Sequence, residues 1–130
     1  MRKHLSNSKG QALVELAFVL PILLLIVMGI VEFGRIFNAY LIVTNASREG
    51  ARYASVDSSD TEIYYAIENL TSTLDQSQIS ISISPNFSSR TSGNPVEVSI
   101  DYNIDIIAPV IGAIIPNPFT VSAKTTMRIE

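Results

Sequence analysis

The feature that most constrains this chain is one uninterrupted apolar stretch. Leu16 to Val31 carries no charge, and Ala12 to Val31 carries only Glu15. A helix that crosses a bilayer needs about 20 mostly apolar residues, and this stretch supplies that length. A helix that is apolar all round has no wet face, so it belongs inside a large core or in lipid. A chain of 130 residues has little core to offer it. Residues 32–130 suffice for one small domain and not for two. The expected organisation is a basic leader at 1–10, a transmembrane helix at 11–31 and an extracytoplasmic domain at 32–130.

Composition removes several chemistries. The chain has no cysteine, which excludes disulfides, thiolate metal sites and a cysteine nucleophile. Its one histidine, His4, lies in the polar head, so a Ser-His-Asp triad or a two-histidine metal site has nothing to build on. Net charge is −3 and no basic patch follows the apolar stretch, which argues against nucleic acid as a partner. Neither an enzyme, a cofactor nor a metal is expected. Asp101 and Asp105 are an acidic pair that a tethered hydrolase would need, but strand alternation puts both on a wet face, where solvated charges are ordinary.

Arg2, Lys3 and Lys9 precede the apolar stretch in a short head, and such heads stay in the cytoplasm. The expected orientation is N-terminus inside, C-terminal domain outside. A cleaved secretory signal would have a shorter apolar core and a small-residue site after it. Here Val31-Glu32-Phe33-Gly34-Arg35 follows, and the helical pattern runs on.

Phe33, Phe37, Tyr40, Thr44, Ser47, Ala51 and Ala54 recur at alternate spacings of four and three, with Ile36 and Val43 flanking them. That spacing predicts one helix face, and this stripe is expected to pack on a sheet. Its side chains shrink along the chain, so something approaches more closely towards the end. One helix from Gln11 to Ser55 is about 67 Å long, more than twice the roughly 30 Å hydrocarbon core. Its outer half must therefore stand clear of the membrane as the spine of the domain. Pro21 removes the helical bond to the Ala17 carbonyl and is expected to kink the helix. Glu15 is costly in lipid. It either snorkels to the cytoplasmic interface or meets a cationic partner.

Gly10-Gln11-Ala12-Leu13-Val14-Glu15 puts a glycine five residues before a glutamate, just inside the apolar helix. This resembles the processing site of type IV pilin-like proteins, which a membrane aspartic peptidase cuts after the glycine. The resemblance implies cleavage between Gly10 and Gln11, with Glu15 as the fifth mature residue. Residues i and i+4 share a helix face, so the Glu15 carboxylate would lie near the new α-amino group or that of a neighbouring subunit. Either pairing would offset the burial of both charges. Glu32-Phe33-Gly34-Arg35, the run Arg48-Glu49-Gly50-Ala51-Arg52-Tyr53-Ala54, and the closing Thr120-Val121-Ser122-Ala123 to Met127-Arg128-Ile129-Glu130 are similar to the TadE-like pseudopilins of the tight-adherence (Tad) pilus system. Major Flp pilins of that system are much shorter and carry Glu-Tyr after the cut, whereas Leu16 follows Glu15 here. The resemblance thus implies a minor pilin.

The outer domain reads as α+β. Ser59-Asp60-Thr61-Glu62 fits a capping box opening a short helix over about 60–75, with Ile63, Ala66, Ile67, Leu70 and Leu74 on one face. The acidic group Asp57, Asp60 and Glu62 also admits a calcium reading, but it lacks the spacing and glycine of an EF-hand. Period-two alternation predicts strands at about 78–84, 95–106 and 119–129, joined by loops short enough for antiparallel neighbours. A three-stranded sheet with one apolar face needs a cover, which the long helix and the short one supply. The expected fold is therefore a long N-terminal transmembrane helix continuing as a spine on a small antiparallel three-stranded sheet, with one extra short helix. This is the general plan of pilin-like proteins. Ala108 to Phe119 is apolar but broken by Pro109, Gly112, Pro116 and Pro118. It is too short to span a bilayer and reads as core folded over the sheet edge or as an exposed subunit contact. The triplets at Asn45, Asn69 and Asn86 match the N-x-S/T pattern by chance in a Ser/Thr-rich chain.

The resemblance implies a single-pass protein of a bacterial or archaeal cytoplasmic membrane that supports pilus assembly, with adhesion or secretion downstream. Its implied partners are other pilins and pseudopilins, the prepilin peptidase, the inner-membrane assembly platform and the lipid bilayer. The alternative is an uncleaved anchor that displays a small envelope binding domain.

Overall fold

A computed structural model describes residues 8–130 of the chain. Arg2, Lys3 and His4 of the basic head lie outside the described residues. The first helix, α1, runs from Ser8 to Ser55 and is 48 residues long, continuing through Pro21. Over the apolar stretch it touches almost nothing: Gln11 to Met28 are all exposed, and the most apolar window has none of its residues buried. This half is long and apolar enough to cross a membrane. The other half is docked. Ala39, Val43, Ala46, Ser47, Gly50, Ala51, Ala54 and Ser55 are buried against the rest of the chain.

The short helix α2, Asp60–Leu70, opens with the capping box. The Ser59 hydroxyl accepts from the Glu62 backbone N–H, and the Glu62 carboxylate accepts from the Ser59 backbone N–H at 2.9 Å. It buries Ile63 and Ile67. The helix ends five residues before the expected Asp75. Buried Thr71 turns its hydroxyl back to donate to the Ile67 carbonyl at 2.9 Å, and Gln76 Nε2 donates to the freed Thr71 carbonyl at 2.7 Å. Asp75 instead caps a 3-10 turn at Gln76–Gln78, accepting from the Ser77 N–H and hydroxyl. Thr and Asp side chains compete for backbone partners in this way, and here that competition stops the helix.

The three strands are β1 (Ile79–Ser84), β2 (Pro95–Ile104) and β3 (Phe119–Arg128). They form one antiparallel sheet in the order β1-β2-β3, with Ile81 opposite Ile100 and Tyr102 opposite Val121. The architecture is the α+β arrangement expected. β2 stops at Ile104, two residues short of expectation, because the next N–H groups find side-chain acceptors instead of a strand. Ile106 N–H donates to Asn117, and those of Ile107 and Ala108 donate to Glu32. At the other end, Ile129 N–H donates to the Asn94 carbonyl and Glu130 N–H to that of Ser55, tying β3 to the end of α1.

The core lies between α1, α2 and the inner face of β2. Its largest fully buried apolar members are Val43, Ile63, Ile67, Val96, Val98 and Ile100. The seam on α1 is turned slightly from the expected stripe. It follows Ile36, Ala39, Val43, Ala46, Gly50 and Ala54, together with Ser47 and Ala51, while Phe33, Phe37 and Tyr40 stay about half exposed or more. The tightest point is Gly50, where a Cβ would stand 2.8 Å from Ile67 Cδ1 and 3.2 Å from Val98 Cγ1.

Two predictions follow from this packing. Gly50→Val forces methyl groups into a filled space and lowers stability by about 1–3 kcal/mol. Gly34, with nothing within 4 Å of an added Cβ, behaves oppositely: Gly34→Ala gains about 0.5–1 kcal/mol of helix propensity. Thermal unfolding of the full chain in detergent, followed by circular dichroism, checks both. Acid is expected to destabilise the domain. The Ser77 hydroxyl and N–H hold the Asp75 carboxyl below its ordinary value, and the hydrogen bond and charge of Arg52 do the same for Glu49. A lowered folded-state pKa stabilises fully above the unfolded-state value and is lost as pH falls through the folded one. The melting temperature therefore drops below the usual carboxylate range of about 4, and the combined Asp75→Asn and Glu49→Gln variant shows a shallower drop.

Candidate functional site

The features of interest lie along α1, from its first turns to its junction with the sheet. Gly10, Gln11 and Glu15 all lie in helix, Gly10 half-buried and the other two exposed. Gln11 and Glu15 are one turn apart on the same face, as their spacing requires. Among the described residues Glu15 has no ion-pair partner. Pro21 sits further along the exposed apolar half, within the continuous helix.

At the outer end of that half, Glu32 is 3% exposed. One carboxylate oxygen accepts from Arg35 Nη1 at 2.7 Å. The other accepts from the backbone N–H groups of Ile107 at 3.0 Å and Ala108 at 3.1 Å. Arg35 Nη1 also reaches the Asp105 carbonyl at 3.4 Å. A single glutamate one residue past the apolar stretch thus fastens the β2–β3 connection to the helix. In the sequence Glu32 and Arg35 stand within the Glu32-Phe33-Gly34-Arg35 motif, with nothing there to mark the loop they hold. The available signal was their i, i+3 spacing, which brings opposite charges together on one helix face.

The second motif lies at the far end of the docked half. Glu49 and Arg52 pair on the exposed side, and the Arg52 guanidinium lies 4.9 Å from the Tyr53 ring centre. Gly50, Ala51 and Ala54 face inwards. Thr44, on the expected stripe, is half-buried and its hydroxyl has no partner, whereas the Ser47 hydroxyl meets that of Thr125 at 2.9 Å.

Between the two motifs, Phe33, Ile36, Phe37 and Tyr40 face Phe119 to Ser122 across an apolar groove of about 310 Å³. The Phe33 and Phe37 rings stack with centres 6.3 Å apart. The sequence spacing puts these aromatic residues on the stripe that faces the sheet. They fall beside the outer edge of β3 instead, because the small residues one position round the helix permit the closer approach. The groove begins at Phe33, two residues past the end of the apolar stretch.

The acidic residues near α2 are used structurally. Asp60 pairs with Arg90, whose side chain is buried and whose Nη1 also donates to the Ser58 carbonyl at 2.6 Å. Asp60 further accepts from the Phe87 N–H, which pins the 85–94 loop to the start of α2. Among the described residues no three His, Cys, Asp or Glu side chains gather as a metal site. Asp101 accepts from the Ser122 hydroxyl on the outer sheet face, and Asp105 is exposed beyond the strand end.

Compared with known families, residues 10–52 match the family described as TadE-like protein, about a third of the chain. The match begins at Gly10 and ends within the second motif, so it covers the bare helix, the Glu32 junction and most of the docked seam. No curated protein and no solved structure matches the chain. A TadE-like segment on a helix long and apolar enough to cross a membrane fits a membrane protein associated with a Tad pilus.

Glu32→Ala leaves two backbone N–H groups without their charged acceptor, at a cost of about 1.5–3 kcal/mol. Arg35→Ala removes the cation beside Glu32 but leaves both backbone donors on the carboxylate, and is expected to cost less than Glu32→Ala. Amide hydrogen exchange at Ile107 and Ala108 is expected to accelerate strongly in the first variant and little in the second.

Proposed function

We propose that this chain, TadE-like over the helix of residues 10–52, is a membrane-anchored minor pilin or pseudopilin that takes part in assembling a Tad-type pilus. In this reading it inserts in the cytoplasmic membrane with its N-terminus inside. A prepilin peptidase cuts between Gly10 and Gln11, and the sheet domain stands outside. The chain catalyses nothing and is the peptidase's substrate. Adhesion or secretion is the downstream outcome.

The observation that carries this reading is that the family match takes in the part of α1 that its own chain leaves bare. A helix apolar on every side and uncovered over Gln11 to Met28 needs lipid or other helices around it. Lateral packing against pilin helices, within and just beyond the bilayer, supplies that cover, and the Phe33–Tyr40 groove prolongs the surface. Gly10 suits the cut because glycine unwinds readily from helix. Glu15 then sits one turn from the new α-amino group, and pairing within or between subunits sets the axial register of the assembly.

The mass or terminal sequence of the protein recovered from its own membranes tests the processing step. A chain starting at Gln11 is expected; one starting at Met1, in cells that make the peptidase, would favour an uncleaved anchor displaying an envelope binding domain. Glu15→Ala is expected to insert normally yet fail to co-purify with the other pilins. Normal co-assembly of that variant would remove the pairing role assigned to Glu15.

A further inference from the structure

The connection from Ile106 to Phe119 contains fourteen residues and no charge, and its one polar side chain is Asn117. Exposure within it is high where a soluble domain would avoid it. Ile107 is 67% exposed, Val110 47% and Ile114 77%. Yet the segment is firmly seated. Ile111 lies so close to α1 that a Cβ on Gly29 would stand 3.2 Å from its Cδ1. The Glu32 carboxylate holds the N–H groups of Ile107 and Ala108.

Its one polar side chain is spent on the segment's own backbone. Asn117 spends its carbonyl oxygen on the Ile106 N–H at 3.1 Å and its amide on the Ile106 carbonyl. A helical turn at Ile111–Ile114 satisfies further backbone groups, with Gly112 N–H donating to Ala108 and Ile115 N–H to Ile111. Pro109, Pro116 and Pro118 have no N–H to satisfy. Internal satisfaction of the backbone is what a hydrocarbon environment demands and water does not.

Position along the helix supplies the occupant. Gly29 lies two residues before the end of the charge-free stretch, about 3 Å along the axis from Val31. The segment therefore lies beside the last turn of the apolar half, on the sheet domain's side of the membrane. Arg35 and the Asp105 backbone meet just above it. Below that contact the helix from Leu16 to Val31 presents only apolar side chains, and so does the loop apart from Asn117. A shallow groove of about 160 Å³ between them is lined by Val27, Met28, Val31, Ile107 and Ala108 together with the paired Glu32 and Arg35.

We infer that the 106–119 segment is a second membrane contact: Ile107, Val110 and Ile114 enter the acyl-chain region of the leaflet facing the sheet domain, alongside the spanning helix. This rests on the reading that α1 crosses the bilayer. The contact fixes how far the sheet domain stands from the membrane and restrains its tilt.

The chain contains no tryptophan, so a single introduced one reports alone. Three full-length variants are reconstituted in phosphatidylcholine vesicles carrying bromine either near the headgroup or near the middle of the acyl chain. Ile114→Trp probes the segment, Leu23→Trp the apolar helix, and Phe87→Trp the loop at the far end of the domain. All three positions are substantially exposed, so tryptophan is accommodated without repacking. Ile114→Trp is expected to emit to the blue of Phe87→Trp and to lose most emission to the shallow bromines. Leu23→Trp is expected to lose most to the deep ones, and Phe87→Trp little to either. Quenching of Leu23→Trp with none of Ile114→Trp would overturn the contact and leave the spanning helix intact. In that case, a blue shift at Ile114→Trp that grows with the protein-to-lipid ratio would identify a second copy as the cover. An unquenched Leu23→Trp would overturn the spanning reading and this inference with it.

Discussion

The docked half of α1 presents a seam of small residues, Ala39, Val43, Ala46, Gly50 and Ala54, to α2 and the sheet. Because none of them projects far, the helix comes close enough for Ile67 and Val98 to touch its backbone at Gly50. Most of the domain's core follows from that approach. Ile63 and Ile67 are buried because α2 is drawn against the same seam, and β2 is central because its inner residues meet both helices. Dispersion and area burial depend steeply on distance, so a seam built from larger side chains would leave α2 and the sheet with little to close upon.

Periodicity made most of the architecture readable. A period near 3.6 over residues 32–55 and a period of two in three later stretches are local properties of the chain, and the elements they imply are present. Element ends were less readable, since they depend on where particular hydrogen-bonding groups find partners. Thr71 and Asp75 end α2 early through side-chain contacts to the backbone. Glu32 and Asn117 end β2 early by taking its next N–H groups from afar, across 75 residues in the first case. The rotation of the seam was invisible for the same reason. Aromatic and small residues shared the stripe, and only the sheet's position decides which of them is covered. That Gln11 and Glu15 share a face follows directly from helix geometry. The burial of Glu32 does not, because it depends on a loop far along the chain.

The two motifs that flank the docked half share a physical character. Each combines an acidic and a basic residue three apart with a glycine between them: Glu32, Gly34 and Arg35 at one end, Glu49, Gly50 and Arg52 at the other. At the first, the acidic member faces inward and holds a loop. At the second, the glycine faces inward and admits a neighbour. The TadE-like match spans both ends, so what it covers includes the anchoring helix and the means by which a domain is attached to it.

Because α1 is continuous from Ser8 to Ser55, it acts as a shaft that transmits rotation. The azimuth of the sheet is locked to that of every residue below it, Glu15 included. Each residue of an α-helix turns the axis by about 100° and advances it about 1.5 Å. Adding or deleting one residue between Leu16 and Val31 would leave composition and length almost unaltered, yet swing the whole sheet domain roughly a quarter-turn relative to the helix start. Removing a full heptad would nearly restore the phase, with a residual of about 20°. The number of residues in the apolar stretch therefore encodes an angle as well as a thickness.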